Sequence, residues 1–255
     1  MNYISVHPAA VFVLTFILLW LAAWTGARYR HSRAFAGESR QDYNLILAAS
    51  LTLLGLLIGF SFSMAATRYD QRKNLEEAEA NAIGTEYLRA DLLETADRDR
   101  LQALLVRYVE LRIRYYVARE SEVASTGVET ARLQNDLWTA ATGPSARRTD
   151  PVMALVIAGM NDVLNSQGYT QAAWWNRLPL SAVLMVTAIA IGCNLLVGYG
   201  AHSMSPRNPL LAVLPLLVAV AVSLINDIDT PRHGFIEVMP RNLSALLEGL
   251  KAPRP

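Results

Sequence analysis

The residue types that most often carry out chemistry are sparse and scattered in this sequence. The four histidines, His7, His31, His202 and His233, lie far apart, and Cys193 is the only cysteine. The motifs H-E-x-x-H, G-x-x-x-x-G-K-[ST], G-x-G-x-x-G and C-x-x-C do not occur. A metal site or a histidine acid–base pair would therefore have to be assembled from distant segments. We expect that the protein is not an enzyme and that it holds no resident cofactor.

Acidic side chains are plentiful, but they are concentrated in one stretch and interleaved with arginines. Of the 45 Asp, Glu, Lys and Arg residues, 30 lie between Arg68 and Arg177. Opposite charges that alternate along helical faces are typical of a solvated surface, so we interpret them as surface rather than as a catalytic pair. The net charge of +1 gives no indication of nucleic-acid binding, and we expect none.

The other 145 residues hold few charges, and these leave four long apolar runs. Crossing about 30 Å of hydrocarbon takes about 20 residues of helix. We interpret the first run as an uncleaved membrane helix, because no Lys or Arg precedes it. The runs predict four transmembrane helices: Pro8 to Ala27, Tyr43 to Thr67, Leu178 to Pro206 and Asn208 to Asn226.

Apolar spacing predicts helices in the charged stretch as well. Leu101, Leu105 and Tyr108 recur at three- and four-residue steps, and a second stripe over 152–164 follows an Asp150-Pro151 start signal. We also expect the second span to continue as a helix over 68–93. Breaks are predicted near 94–97, 125–127 and 143–144. The expected fold is all-α, with four transmembrane helices and a helical extramembrane insert between the second and third.

This pattern divides the chain into four predicted parts. They are a first transmembrane hairpin over 1–67, the extramembrane domain over 68–177, a second transmembrane hairpin over 178–226 and a tail over 227–255. The tail holds a short amphipathic helix with four leucines on one face: Leu243, Leu246, Leu247 and Leu250.

Small residues follow one side of the second predicted span at steps of three or four. Gly55 and Gly59 have the spacing that lets two membrane helices approach closely, which indicates packing against another helix. The alternative is that a neighbouring face lines the pore of a symmetric oligomer, with Phe60 available for a dewetting constriction. The small residues are Ala48, Thr52, Gly55, Gly59, Ser63 and Ala66.

Three segments resemble a known family. The run GFSFSMAATRYD over 59–70 resembles the end of the pore helix of bestrophins, and still more the bacterial and plant bestrophin-like family. The run EAEANAIGTEYLRADLL over 77–93 and the run DIDTPRHG over 227–234 are similar to two further segments of that family. The order of two spans, a helical insert, two spans and a short tail agrees as well.

The resemblance implies an ion channel in a lipid bilayer that passes small inorganic ions and self-associates, as a pentamer in bestrophins. It carries the three neck positions of bestrophins onto Thr52, Leu56 and Phe60, and we expect Ser63 to line the pore too. Thr52 is polar where the family's neck is apolar. Symmetric repetition would turn Arg68 and Asp70 into charged rings at the pore mouth.

Calcium is the one metal for which the resemblance supplies candidates. Bestrophins that bind calcium use an acidic cluster after the last span, where this chain has Asp227 and Asp229. Calcium takes six to eight oxygen ligands, and two carboxylates are too few without help from backbone groups or another subunit. The alternative, which we favour, is that these residues end the last helix and pair with Arg232.

Orientation and function each have two interpretations. Basic residues are nearly balanced between the two sides, so the positive-inside rule does not decide, although the arginines of the first short loop favour placing that loop in the cytoplasm. The resemblance implies the opposite orientation for a bacterial inner-membrane protein, with the insert and both termini in the cytosol, and we follow it.

The alternative function is a membrane-anchored helical scaffold or sensor that recruits a protein partner without conducting ions.

Overall fold

The structure is a computed structural model that describes residues 8–30, 37–147, 150–201, 208–232 and 234–252. Within these ranges the chain forms eight α-helices and no β-strand, which confirms the predicted all-α class. The four histidines lie outside the described residues, as do Arg33 and Arg207 of the short loops. The helices are α1 (Pro8–Arg30), α2 (Gly37–Arg89), α3 (Thr95–Val117), α4 (Glu120–Thr142), α5 (Pro151–Trp175), α6 (Leu180–Gly200), α7 (Val213–Asp229) and α8 (Arg241–Lys251).

Four stretches of helix are long and apolar enough to span a membrane, and they lie in α1, α2, α6 and α7. Each coincides with one of the four charge-free runs, so the protein is an integral membrane protein with four spanning helices. Helix α2 has 53 residues. At 1.5 Å per residue it is about 80 Å long, more than twice the thickness of the hydrocarbon layer. It therefore continues well beyond its apolar part, as predicted.

Contacts along the chain define two compact units. The membrane unit comprises Met1–Arg68 and Arg177–Ile236, and the polar unit comprises Tyr69–Asn176 and Glu237–Pro255. Both units are assembled from segments that are distant in sequence. The predicted four-part division, which concerns membrane borders, stays a prediction.

The membrane unit is held together by a small apolar core and by one close helix crossing. The core includes Leu19 of α1, Leu54 of α2 and Val218 of α7. A Cβ atom at Gly198 of α6 would collide with the backbone of α1, and one at Gly26 of α1 would collide with the backbone of α6. Glycine at these two positions therefore lets α1 and α6 pack with their backbones almost in contact.

Asn194 is a fully buried polar residue inside the third span, where such side chains commonly form interhelical hydrogen bonds. Its Nδ2 instead donates to the carbonyl oxygen of Ala190, four residues earlier in the same helix, at 2.8 Å. A short polar side chain in a helix can bond to this carbonyl locally, so the bond needs no partner from another helix.

The polar unit has a continuous apolar core that follows the predicted stripes. Leu101 and Tyr108 of α3, Val156 of α5 and Leu243 of α8 are fully buried in it. Asp150 caps α5, since its Oδ1 accepts a hydrogen bond from the backbone N–H of Met153 at 3.0 Å. The start of α5 and the short last helix are therefore confirmed.

The break predicted near 125–127 is wrong. Helix α4 runs without interruption through Gly127, and the chain bends earlier, at Ala118 and Arg119, which have extended backbone angles. The hydroxyl groups of Ser125 and Thr126 donate to the carbonyl oxygen of Glu122 within the helix. These polar side chains therefore bond back along the helix instead of ending it.

Several charges of the polar unit are buried, although we expected a solvated surface. Arg112 of α3 pairs with Glu79 of α2, and both side chains are completely inaccessible to solvent. Tyr116 and Thr170 also donate to Glu79, at 3.4 and 3.2 Å. Glu76 accepts the backbone N–H of Leu243 at 2.8 Å. The extramembrane half of α2 is thus bonded by its charges to α3, α5 and α8.

Glu86 carries another buried carboxyl group on α2, but, unlike Glu76 and Glu79, it accepts no hydrogen bond from the described residues. Its side chain lies against Gly159 of α5, where a Cβ atom would collide with the carboxylate. Arg89 Nη1 is 4.0 Å away, and neither carboxylate oxygen has a hydrogen-bond partner among the described residues. Burial raises the pKa of Glu86 from 4.5 to about 8, with Arg89 opposing this shift and Asp162 adding to it. The folded protein therefore holds Glu86 protonated at neutral pH.

The variant Glu86→Gln should melt at a higher temperature than the parent protein, by a margin that grows from pH 4.5 to pH 8. In this window the unfolded chain has released the proton and the folded chain has not. The parent's free energy of unfolding therefore loses about 1.4 kcal/mol per pH unit through this one group. Thermal melts of the full-length protein in detergent measure the difference.

The matched control is Glu77→Gln, which changes an exposed carboxylate on the same helix. Its melting temperature should follow that of the parent at every pH. Identical pH profiles for the two variants would contradict the assignment of a protonated Glu86.

Candidate functional site

Helix α2 presents two different faces within the membrane unit. Leu54 and Ala65 are buried, at 2% and 0% exposure, and Leu57 packs against the same core. Successive residues of a helix are about 100° apart, so these three side chains lie on one side of the helix. This side attaches α2 to the rest of the membrane unit.

The four predicted pore-lining residues lie on the opposite side. Thr52, Leu56, Phe60 and Ser63 follow one another at steps of three or four residues, and all four are exposed, Leu56 to 54% and Phe60 to 65%. Only 6% of the apolar part of α2 is buried within the protomer, against 22–28% of the apolar parts of the other three spans. The structure thus brings these side chains together into one open face, defined here by Thr52, Leu56, Phe60 and Ser63.

Gly55 and Gly59, the predicted helix-packing residues, lie beside the open face. No heavy atom in the described part of the chain would lie within 4 Å of a Cβ atom at either position, apart from the neighbouring backbone of α2 itself. Within one protomer, glycine-mediated packing occurs at Gly26 and Gly198 instead. Packing at Gly55 and Gly59 stays a prediction.

Arg68 and Asp70, the predicted pore-mouth charges, point in different directions. The Arg68 side chain is 16% exposed, and its Nη1 lies 3.8 Å from Oδ1 of Asp229. Asp70 is exposed. Asp70 is therefore the more accessible of the two charges, and a role for either of them at a pore mouth stays a prediction.

Asp227 and Asp229, the calcium candidates, use their carboxylates to hold backbone amides. Asp227 accepts the N–H groups of Phe235 at 2.8 Å and Ile236 at 3.1 Å, and Oδ2 of Asp229 accepts that of Leu178 at 2.9 Å. A Cβ atom at Gly234 would collide with Asp227, so glycine is needed where the chain folds back.

These bonds give the two aspartates of the DIDTPRHG segment a structural role, which is to hold the chain that follows α7 and the chain that precedes α6. Across the described ranges, no group of three or more His, Cys, Asp or Glu side chains is placed to hold a metal ion. Calcium needs six to eight oxygens, and two carboxylates that are already bonded to N–H groups do not supply them. Within the described part of one protomer these two carboxylates do not make a calcium site by themselves, and a site completed by backbone groups or another subunit stays a prediction.

Sequence reasoning missed a second run of exposed residues on α2, in the polar unit. Gln71, Asn74, Ala78, Asn81 and Thr85 follow at steps of three or four residues, and all are exposed. They have no charge, although this segment is otherwise rich in charged residues. The sequence already shows that residues at this helical spacing are uncharged, and this could have indicated that the five residues share one face of α2.

The spanning helices, the long α2 and its open face define an all-α integral membrane protein in which one span is largely uncovered. The model of the Bestrophin-like domain family matches residues 9–243, and the chain belongs to this family. No curated protein sequence matches the chain.

Solved structures agree with this assignment at the level of the fold. A single-residue variant of a bacterial bestrophin homologue from Klebsiella pneumoniae has a TM-score of 0.64 at 13% identity, covering 94% of this chain and 97% of that one. A second variant of that homologue gives 0.64 at 12% identity, with coverage of 97% and 99%. A structure described as a membrane protein gives 0.67 at 13% identity, with coverage of 93% and 97%.

The variant Asp229→Ala should destabilise the protein by about 1–3 kcal/mol, because it leaves the buried N–H of Leu178 without its acceptor and Arg68 without its partner. The melting temperature of the full-length protein in detergent, with and without added calcium, measures the effect. Asp70→Ala, which removes an exposed carboxylate of α2 just after the second span, is the control and should melt like the parent. A parent protein that calcium stabilises and Asp229→Ala that calcium does not would contradict the structural role.

Proposed function

We propose that the protein is a subunit of a homo-oligomeric ion channel whose pore is lined by the open face of α2. The observation that carries this proposal is the exposure of Thr52, Leu56, Phe60 and Ser63 on a span that is 6% buried in its own protomer. Membership of the Bestrophin-like family and the fold shared with bacterial bestrophin homologues support it.

The chemistry of the open face suits a gated pore. Leu56 and Phe60 are four residues apart, so in an oligomer they would form two apolar rings about 6 Å apart along the axis. Apolar rings of this kind close a pore by dewetting. Gly55 and Gly59 have no side chain to keep the neighbouring copy away, which lets the rings be narrow.

Thr52, the one polar neck position, is less polar than its residue type indicates. Its hydroxyl group donates to the carbonyl oxygen of Ala48 at 2.9 Å, within α2. The proton is therefore not available to an ion's hydration shell, although the oxygen can still accept a hydrogen bond. We infer a first ring that is wetter than those of Leu56 and Phe60 and does not by itself close the pore.

The oligomer and its orientation follow from the family in this proposal. Bestrophins are pentamers, and five copies would repeat Asp70 around the axis next to the last turn of the span. We place the protein in a bacterial inner membrane, with the insert and both termini in the cytosol.

Purified protein in a planar lipid bilayer should conduct ions, and Phe60→Ala should increase the open probability several-fold. The alanine widens and wets the ring formed by Phe60, so the closed state loses part of its barrier. Single-channel recording measures both the conductance and the time spent open.

The matched control is Phe62→Ala, which removes the same side chain about 200° around the helix from Phe60. Its recordings should resemble those of the parent if gel filtration shows unchanged assembly. A protein without conductance, purified as a monomer or dimer, would contradict the channel and favour the alternative scaffold or sensor.

A reporter that is active only in the cytosol should be active when it is fused after Pro255 and inactive when it is fused after Ala201, between the third and fourth spans. One span, α7, separates the two fusion points, so they lie on opposite sides of the membrane. Activity in bacterial cells measures the result, and the reverse pattern would show that the insert faces the periplasm.

A further inference from the structure

Helices α2 and α5 meet at a carboxyl group that the channel proposal does not use. The side chain of Glu86 is completely inaccessible to solvent, and it lies where α5 has Gly159, which is buried as well. A Cβ atom at position 159 would collide with Oε2 of Glu86 and with the guanidinium group of Arg89. The missing side chain of Gly159 therefore leaves the space that holds the carboxyl group.

The polar unit offers this carboxyl group little that would stabilise a negative charge. Neither oxygen of Glu86 has a hydrogen-bond partner among the described residues. Arg89 Nη1 lies 4.0 Å away, but the Arg89 side chain is 32% exposed, so water screens its charge. Asp162, three residues after Gly159 on α5, adds a negative charge that opposes ionisation. The group therefore stays protonated as long as it is buried.

An ionised Glu86 becomes stable only by leaving its place against Gly159. Two more helices pack against α2, and the groups that they bring are Arg112 of α3, which is engaged by Glu79, and the backbone N–H of Leu243 of α8, which is engaged by Glu76. Water and the exposed part of Arg89 are at the surface, three residues further along α2. Movement of the carboxylate toward them opens the contact between α2 and α5.

We propose that the contact between Glu86 and Gly159 is a pH-sensitive latch, which is closed while Glu86 is protonated and opens locally around Gly159 when Glu86 ionises. Local opening differs from the unfolding that a thermal melt measures, because the remainder of the polar unit stays folded. Burial favours the protonated carboxyl group in the closed latch alone. Between pH 5 and pH 7.5, each pH unit therefore makes the open state about ten times more populated. The latch does not depend on ion conduction.

Hydrogen–deuterium exchange of the full-length protein in detergent, read by mass spectrometry between pH 5 and pH 7.5, tests the proposal. Exchange from an open state is catalysed by hydroxide, so its rate is ordinarily proportional to the hydroxide concentration. Opening of the latch also releases one proton. In the parent, the exchange rate of residues 155–163 should therefore follow the square of the hydroxide concentration, which adds about a factor of ten per pH unit.

The variant Glu86→Gln has no proton to release, so the same residues should follow the first power of the hydroxide concentration. Gly159→Ala, whose Cβ atom takes the place of the carboxylate, should also follow the first power and should exchange faster than the parent at pH 5. The matched control Glu77→Gln, at an exposed position of the same helix, should behave like the parent. Melting temperatures verify that each variant is folded.

Global unfolding also exposes Glu86, so the comparison with a core segment is decisive. Residues 105–109 of α3 include the fully buried Leu105 and Tyr108 and should exchange more slowly than residues 155–163 of the parent. Equal rates in the two segments would overturn the proposal, because the opening would then be global. A first-power dependence of residues 155–163 in the parent, or a second-power dependence in Glu86→Gln, would overturn it as well.

Discussion

Hydrocarbon supplies no hydrogen-bond partners, so the backbone of a spanning segment has to satisfy its own N–H and carbonyl groups. This constraint makes each span one uninterrupted helix. In this protomer α2 is attached on one side, the side of Leu54 and Ala65. The side of Leu56 and Phe60 is left uncovered. The function of the protein depends on what covers that side in the membrane.

The extramembrane half of α2 is fixed by a different force. Burial opposes the charge on Arg112, but Glu79 beside it raises the pKa of the guanidinium above its usual value, so the guanidinium stays charged. Such a pair adds little net stability, yet removing one partner costs about 3–5 kcal/mol because the other is left buried and uncompensated. We infer that the pair fixes the position of α3 against α2 rather than strengthening the polar unit.

Much of the fold was predictable from the sequence because it depends on local patterns. Charge-free runs identified the spans, and leucine spacing identified the core side of α3. The errors concern residues whose surroundings come from distant segments. A glutamate such as Glu79 has the sequence pattern of a surface residue, and its burial depends on Arg112, 33 residues later. Of the candidate site, spacing placed the four residues of the open face on one side of α2, but spacing cannot identify what covers that side, and their role in a pore stays a prediction.

The glycines support the proposal that this partner comes from outside the protomer. The sequence contains two sets of small residues suited to close helix packing, and the fold uses Gly26 and Gly198 while leaving Gly55 and Gly59 open. Lipid tails form no hydrogen bonds with hydroxyl groups and pack no more closely against small residues. Another helix can pack closely against the small residues, and water can bond to the hydroxyl groups. Thr52 and Ser63 stand on this face next to Leu56 and Phe60. A ring of identical copies would give the glycine side a neighbouring helix and the hydroxyl groups an aqueous axis.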